Sequence, residues 1–200
     1  LVKKFSTNYK NINYKISDFF SSGKIKKKIQ KKKFKIITAL SVFYDLLHPN
    51  KFLNDVNDIL DDNGIFLLEF ADLASIIKFN MFDTFCHEHL EYYSLKVISK
   101  MCIKNNLRIF DIKTNSINGG SIQLFICKED ATYKNNNTSI NKIIVFEKKL
   151  KLDKKETYIK FFKKINKIRK QTFNFIQKAK NNNKTIHCYG ASTKGNVLLQ

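Results

Sequence analysis

Three ionisable side chains stand in consecutive positions, His87, Glu88 and His89, and the aromatic pair Tyr92 and Tyr93 follows them closely. An imidazole has a pKa near 6.5 in solution, so it can accept a proton at neutral pH, and a neighbouring carboxylate can orient or polarise it. A general-base site is therefore one interpretation. Two histidines in alternate positions of an extended segment could also bind a metal, although no further ligand is evident in the sequence. Ordinary surface or core histidines are the third interpretation.

A second pair of polar residues, Tyr44 and Asp45, comes just after a predicted strand. Ligands of parallel α/β sheets bind outside the carboxyl ends of the strands. We therefore expect Tyr44, Asp45 and His89 to face one crevice, together with Glu69 from the end of the next strand. Ordinary packing of the Tyr44 ring is the alternative.

Two glycine-containing loops are further candidates. Gly190 to Asn196 follows a predicted strand and precedes a predicted helix, so its backbone N–H groups, with Ser192, Thr193 and Lys194, could hold a phosphate. It lacks the Lys-Ser/Thr ending of a Walker A motif, and a helix-entry turn is the alternative. In a second loop, Asn118, Gly119 and Gly120 could bring the backbone close to a ligand or could simply form a tight turn.

The elements that would position these residues follow from hydrophobic patterning. A βαβ unit is predicted from a β-branched strand at 34–40, a helix from Pro49 to about Leu60 and an apolar strand at 65–70. The run 61–64 is predicted to end the helix and form a turn before the second strand. The remaining patterns predict a helix at about 73–79, a helix capped by Ser94, strands at 107–113 and 121–127, one bent or two helices over 143–180, and a strand at 185–189.

Composition narrows the function classes. The 200 residues carry a formal net charge of +20, but only two of the 37 basic residues are arginines. Lysine-rich surfaces with little arginine argue against base-edge recognition of nucleic acid, although a non-catalytic polyanion-binding module stays open as an alternative. No apolar run is long enough to cross a bilayer, and the four cysteines form no C-x-x-C pair, so we expect reduced cytoplasmic thiols.

Several of these segments, in this order, resemble the bacterial S-adenosylmethionine-dependent C-methyltransferases that act on nucleotide-linked deoxysugars. The stretches that carry the resemblance are 37–39, 42–46, 64–69, the run Phe82 to Leu95 containing His-Glu-His-Leu-Glu-Tyr-Tyr-Ser-Leu, 117–121, and Gly-Ala-Ser-Thr-Lys-Gly-Asn at 190–196. The resemblance implies an α/β fold. Residues 1–130 would be the C-terminal half of a Rossmann-like class I methyltransferase domain, and residues 131–200 would begin a second α/β domain that binds the nucleotide-sugar.

The resemblance also implies roles. It implies that His89 is the base and Glu88 an active-site carboxylate, with Tyr44 and Asp45 beside them. The residues that would bind the substrate are His87, Asn118, Gly119, Gly120, Tyr189, Gly190, Ser192, Thr193, Lys194 and Asn196. It implies S-adenosylmethionine as cofactor and zinc only in an N-terminal domain outside this chain. Neither the glycine-rich loop nor the acidic residue for the cofactor is found here, so we expect an internal fragment that is inactive alone. A different small-molecule acceptor stays open.

Overall fold

A mixed β-sheet forms the centre of the computed structural model, which describes residues 11–30, 33–190 and 193–199. Its strands are β1 (Phe34–Leu40), β2 (Leu60–Phe70), β3 (Leu107–Asn115) and β4 (Ser121–Lys128), in the order β1-β2-β4-β3. β1 and β2 are parallel, whereas β4 is antiparallel to both of its neighbours. β1, β2 and β3 therefore run in one direction, and the predicted α/β class is confirmed.

Helices account for most of the remaining described chain. Their bounds are α1 (Ser22–Ile29), α2 (Pro49–Ile59), α3 (Leu73–Phe79), α4 (Leu95–Lys104), α5 (Asn137–Leu150), α6 (Lys155–Asn181) and α7 (Thr193–Leu199). Proline suits the first turn of α2, where its missing N–H has no intrahelical partner. α2 joins β1 to the parallel strand β2, which confirms the predicted βαβ unit.

The start of β2 differs from the prediction. The predicted turn at 61–64 lies inside the strand, because Phe34 pairs with Leu60 and the pairing resumes only at Ile36 and Ile65. β2 thus contributes three more residues than β1 to this irregularity. A Cβ atom on Gly64 would lie 2.8 Å from the carbonyl oxygen of Phe34. Residues 61–64, which suggested a turn, instead form an irregularity in the pairing of β1 with β2. Gly64 lies where the backbones of the two strands come closest.

The C-terminal part shows two further differences. The helical pattern over 143–180 is divided into α5 and α6, and Lys151 ends α5 in the left-handed conformation with φ 54°. The predicted strand at 185–189 is wrong, because these residues have no regular structure. No described strand lies beside them, so an extended segment there has no ladder in which to pair its backbone groups. The next helix begins at Thr193, before Asn196.

The main core lies between one face of the sheet and the helices. Fully buried side chains include Leu53 and Val56 of α2, Phe66 and Leu68 of β2, and Ile98 of α4. α5 packs against β3 and α4, and its buried Glu147 accepts hydrogen bonds from the backbone N–H groups of Leu95 and Lys96. The division of the chain near residue 130 stays a prediction. None of the described helices is long and apolar enough to cross a membrane.

Candidate active site

The segment that carries the His-Glu-His run is attached to the end of β1 by main-chain hydrogen bonds. A short 3-10 turn, Phe43–Asp45, follows β1 directly. The carbonyl oxygen of Tyr44 in this turn accepts hydrogen bonds from Leu90 N (2.9 Å) and Glu91 N (3.1 Å). The backbone directly after His89 is therefore fixed at the carboxyl end of the parallel strands, where the sequence predicts the crevice.

The imidazole of His89 is held on two sides. Its ring centroid lies 4.3 Å from that of Tyr44, at an interplanar angle of 51°. Nδ1 lies 3.4 Å from the hydroxyl oxygen of Thr84, while Nε2 has no hydrogen-bond partner among the described residues. The ring is half-buried. This arrangement leaves one ring nitrogen available to exchange a proton with a ligand.

The carboxylate of Asp45 interacts electrostatically with both His89 and Glu88. Partial burial raises the pKa of Asp45; His89 opposes this rise, and the negative charge of Glu88 adds to it. The structure therefore brings together His89, Glu88, Tyr44 and Asp45, the four residues predicted to be catalytic. Glu88 is exposed, and so is His87, the remaining member of the run.

Neighbouring phenols stay protonated. Burial raises the pKa of Tyr44, and the charge of Asp45 adds to this effect. Burial also raises the pKa of Tyr92 to about 12, with additions from Cys86 and Asp45. At neutral pH both side chains are therefore hydrogen-bonding phenols.

Glu69 is at the expected strand end but is already engaged. Its buried carboxylate accepts hydrogen bonds from the side-chain amides of Asn115 (2.9 Å) and Gln123 (2.6 Å), both through Oε2. Asn115 ends β3 and Gln123 lies opposite Glu69 on β4. The Glu69 carboxylate thus links β2, β3 and β4 by hydrogen bonds at this edge of the sheet.

The turn between β3 and β4 lies at the same edge of the sheet. Gly119 and Gly120 have φ values of 89° and 142°, a region that favours glycine. A Cβ atom would lie 3.1 Å from Met81 Cε at Gly119 and 3.2 Å from Ser75 Cβ at Gly120. Turn geometry and close packing on protein side chains account for both glycines, and ligand contacts of Asn118, Gly119 and Gly120 stay a prediction.

The C-terminal end of the predicted phosphate loop lies close to the base segment, the stretch 82–94 that contains the His-Glu-His run. α7 packs against the 3-10 turn Phe82–Thr84, and Lys194 Nζ lies 3.7 Å from the carboxylate of Asp83. Gly190 lies at the end of the irregular segment, and Ser192 lies outside the described residues. Of the other predicted substrate residues, Thr193 begins α7, while Asn196 and the fully exposed Tyr189 are at the surface.

Sequence reasoning missed two residues of this region. Thr84 is 2% exposed and is the side chain that meets His89 Nδ1, and Asp83 forms the ion pair with Lys194. Both lie inside the run Phe82 to Leu95 that carries the resemblance. No spacing rule marks them, because a 3-10 turn of three residues, Phe82–Thr84, places them.

The described residues do not supply a recognisable cofactor cradle. On the carboxyl edge of the sheet they include no glycine-rich turn between a strand and a helix, and β1 has β2 as its one described partner strand. They also contain no group of three or more His, Cys, Asp or Glu side chains placed to hold a metal ion. We therefore assign no cofactor or metal contact to the described residues.

Comparison with known proteins identifies relatives over most of the chain. Residues 116–200 match the family model described as the C-methyltransferase C-terminal domain. C-methyltransferase NovU of Streptomyces niveus is 30% identical over 165 residues, which are 82% of this chain and 39% of that protein. The chain thus spans about two fifths of the length of this relative.

Solved structures give a more distant likeness. Magnesium protoporphyrin IX methyltransferase (ChlM) of Synechocystis PCC 6803, solved with bound SAH, has a TM-score of 0.38 and 16% identity over 48% of this chain and 46% of its own. M1.HpyAVI has a TM-score of 0.36 and 12% identity over 56% of this chain and 54% of its own.

The family match and the curated relative agree with each other and with the motifs found in the sequence. Together they cover the base segment and the loop before α7. The resemblance predicted from the sequence is confirmed: residues 116–200 match the C-methyltransferase C-terminal domain, and most of the chain is similar to a C-methyltransferase.

Proposed function

We propose that the chain supplies the acceptor-activating part of an S-adenosylmethionine-dependent C-methyltransferase. The observation that carries this proposal is the imidazole of His89, fixed between Tyr44 and Thr84 at the carboxyl ends of β1 and β2 with Nε2 unbonded. The named relative, a C-methyltransferase, supports the reaction class. The predicted resemblance supports a nucleotide-linked 4-ketosugar as acceptor.

In this proposal the chemistry begins with removal of a proton from carbon. A hydrogen on the carbon next to a ketone is acidic because the electron pair left behind is delocalised onto the ketone oxygen as an enolate. His89 Nε2 takes the proton and becomes imidazolium, and the carboxylates of Asp45 and Glu88 stabilise the new positive charge. The enolate carbon is then the nucleophile of the transfer.

Methyl transfer needs a donor. S-adenosylmethionine, when bound, supplies an electrophilic methyl group, and we assign no described residue to it. The contribution of this chain is to hold the acceptor carbon and the base at reaction distance, an effect that can account for a large part of a rate enhancement.

Substrate binding is proposed for the loop before α7. The ammonium group of Lys194 is placed beside the base segment through its ion pair with Asp83, so a diphosphate bound there would bring its sugar towards His89. Gly190, Ser192, Thr193 and Asn196 are proposed diphosphate contacts of the same loop. His87, Tyr189 and the turn Asn118 to Gly120 are proposed contacts of the sugar or the nucleoside.

Proton removal can be tested apart from methyl transfer. An active preparation of the protein, incubated in D₂O with a nucleoside-diphosphate 4-keto-6-deoxysugar and no methyl donor, should exchange the hydrogen next to the ketone for deuterium, which mass spectrometry measures. We expect His89→Ala to slow exchange and methylation by about 10²–10⁴-fold, the usual contribution of a positioned base.

A second histidine variant provides the control. His48→Ala removes an exposed imidazole from the N-terminus of α2 that has no hydrogen bond or ring contact with the proposed site among the described residues, and it should leave both rates within a factor of two. Unchanged exchange in a folded His89→Ala protein would contradict the role of His89. Loss of methylation with normal exchange would instead place His89 at a later step.

A further inference from the structure

The hydroxyl of Thr84 is a buried polar group whose position relates it directly to the base. Thr84 is 2% exposed, and its oxygen lies 3.4 Å from His89 Nδ1. The described residues offer this hydroxyl no other hydrogen-bond partner. A buried hydroxyl without a hydrogen-bond partner is destabilising, so burial of Thr84 favours the ring position in which Nδ1 meets it.

Backbone contacts fix Thr84 itself. Its N–H donates to the carbonyl oxygen of Met81 at 3.3 Å, and its carbonyl oxygen accepts the hydroxyl of Tyr92 at 3.3 Å and the N–H of Cys86 at 3.0 Å. The 3-10 turn that contains Thr84 packs against α7. The hydroxyl is therefore presented to His89 from a well-restrained part of the backbone.

We infer that Thr84 is a positioning residue that accepts a hydrogen bond from the Nδ1–H of His89 and thereby keeps the lone pair on Nε2. A neutral imidazole carries its proton on one nitrogen, and the other nitrogen is the base. When Nε2 takes a second proton, Nδ1–H is still present and still donates to Thr84. The hydrogen bond thus serves both protonation states without rearrangement.

The choice of tautomer rests on the proposed function, because the 3.4 Å contact alone allows the hydroxyl either to accept from Nδ1–H or to donate to Nδ1; the measurement of the tautomer is independent of that function. The opposite tautomer, with hydrogen on Nε2, would turn the unbonded nitrogen into a donor and remove its ability to accept a proton from carbon. A structural role for Thr84 alone would predict a loss of stability and no defined effect on the His89 tautomer.

The tautomer can be measured directly. Long-range ¹H–¹⁵N correlation spectra of ¹⁵N-labelled protein above the pKa of the imidazole distinguish the two nitrogens, because protonated and unprotonated ring nitrogens differ widely in chemical shift. His89→Ala assigns the signal. We expect the Nδ1–H form in the wild type and in Thr84→Ser, which keeps the hydroxyl. In Thr84→Val, which keeps the shape without it, we expect the Nε2–H form to become the main species.

Thr114→Val is the matched control, because Thr114 is exposed on β3 and its side chain has no hydrogen bond among the described residues. It should leave the His89 signals unchanged. An Nε2–H form in the wild type would overturn the inference, and this outcome needs no variant to fold. The same tautomer in folded Thr84→Val as in wild type would also overturn it.

Kinetics separates this inference from the proposed function. In the deuterium-exchange assay we expect Thr84→Val to lower kcat by about 10–100-fold with a small change in KM, since misplacement of a reacting group can cost about 10²-fold. Thr84→Ser should restore most of the rate. If the tautomer changes as expected but wild-type protein catalyses no exchange, the proposed function fails and the positioning by Thr84 stands.

Discussion

Replacement of Glu147 tests how the base segment is connected to the rest of the chain. Glu147 lies on α5, and its carboxylate accepts the N–H groups of Leu95 and Lys96 at the start of α4, which follows the base segment directly. Burial raises the pKa of Glu147, and these two hydrogen bonds oppose that rise. The side chain is 8% exposed, so the contact is shielded from water.

The magnitude follows from what Glu147→Ala removes. The N–H of the buried Leu95 loses its acceptor, at about 1–3 kcal/mol, whereas the N–H of the exposed Lys96 can bind water. The γ-methylene, the one methylene group that the substitution removes, contributes about 0.8 kcal/mol more. Relief of the desolvated carboxylate offsets part of this sum, so we expect a net loss of about 1–3 kcal/mol, or roughly 2–12 °C in Tm.

Urea unfolding followed by circular dichroism measures this loss. Glu156→Ala is the control, because Glu156 is an exposed glutamate on α6 without a hydrogen bond or ion pair among the described residues, and its replacement should cost less than about 0.5 kcal/mol. A Glu147→Ala protein as stable as the control would refute the idea that this carboxylate stabilises the start of α4.

The sign of the pH effect provides a second check on Glu147. Its pKa is higher in the folded than in the unfolded chain, so the folded protein binds a proton more readily just above the ordinary value of 4.5. Stability relative to Glu147→Gln, which cannot ionise, should therefore increase as the pH falls through this window. A relative decrease would mean that the hydrogen bonds outweigh burial.

Two further results are expected. Burial raises the pKa of Tyr93 from 10 to about 12. Between pH 10 and 12 the wild type should therefore lose about 2 kcal/mol of stability that Tyr93→Phe does not lose, as measured by urea unfolding at each pH. Equal losses in the two proteins would contradict the burial of this phenol. Glu88→Gln should lower the pKa of Asp45, because the charge of Glu88 raises it. A ¹³C-detected titration of the Asp45 carboxyl measures this pKa, and a higher or unchanged pKa would contradict the proximity of Glu88 to Asp45.

Sequence patterns predicted most elements because their causes are local. The strand at 34–40, the helix started by Pro49 and the helix capped by Ser94 were all confirmed, since β-branching, fixed proline geometry and a capping hydroxyl act within a few residues. The strand predicted at 185–189 failed because a strand needs a neighbour, and patterning within one segment does not reveal whether a neighbour exists.

Some contacts of the candidate site could likewise be predicted from the sequence, and others could not. The βαβ unit and the rule for parallel sheets predicted that Tyr44 and His89 face one crevice, and the two rings are in contact. The engagement of Glu69 by Asn115 and Gln123 depends on which strands are neighbours in the sheet, and that order is not written in any one segment. The contact of Thr84 with His89 depends on a three-residue turn whose geometry no periodicity encodes.

The carbonyl oxygen of Tyr44 gives the base segment an attachment that does not depend on side-chain identity. Leu90 and Glu91 both donate to this one backbone atom, which every amino acid possesses. Position 44 can therefore exchange its aromatic ring for another side chain, which changes the space beside the imidazole, while the backbone after His89 keeps its attachment. Under the proposed function, variation of this side chain alters the fit of the acceptor without releasing the segment that carries the base.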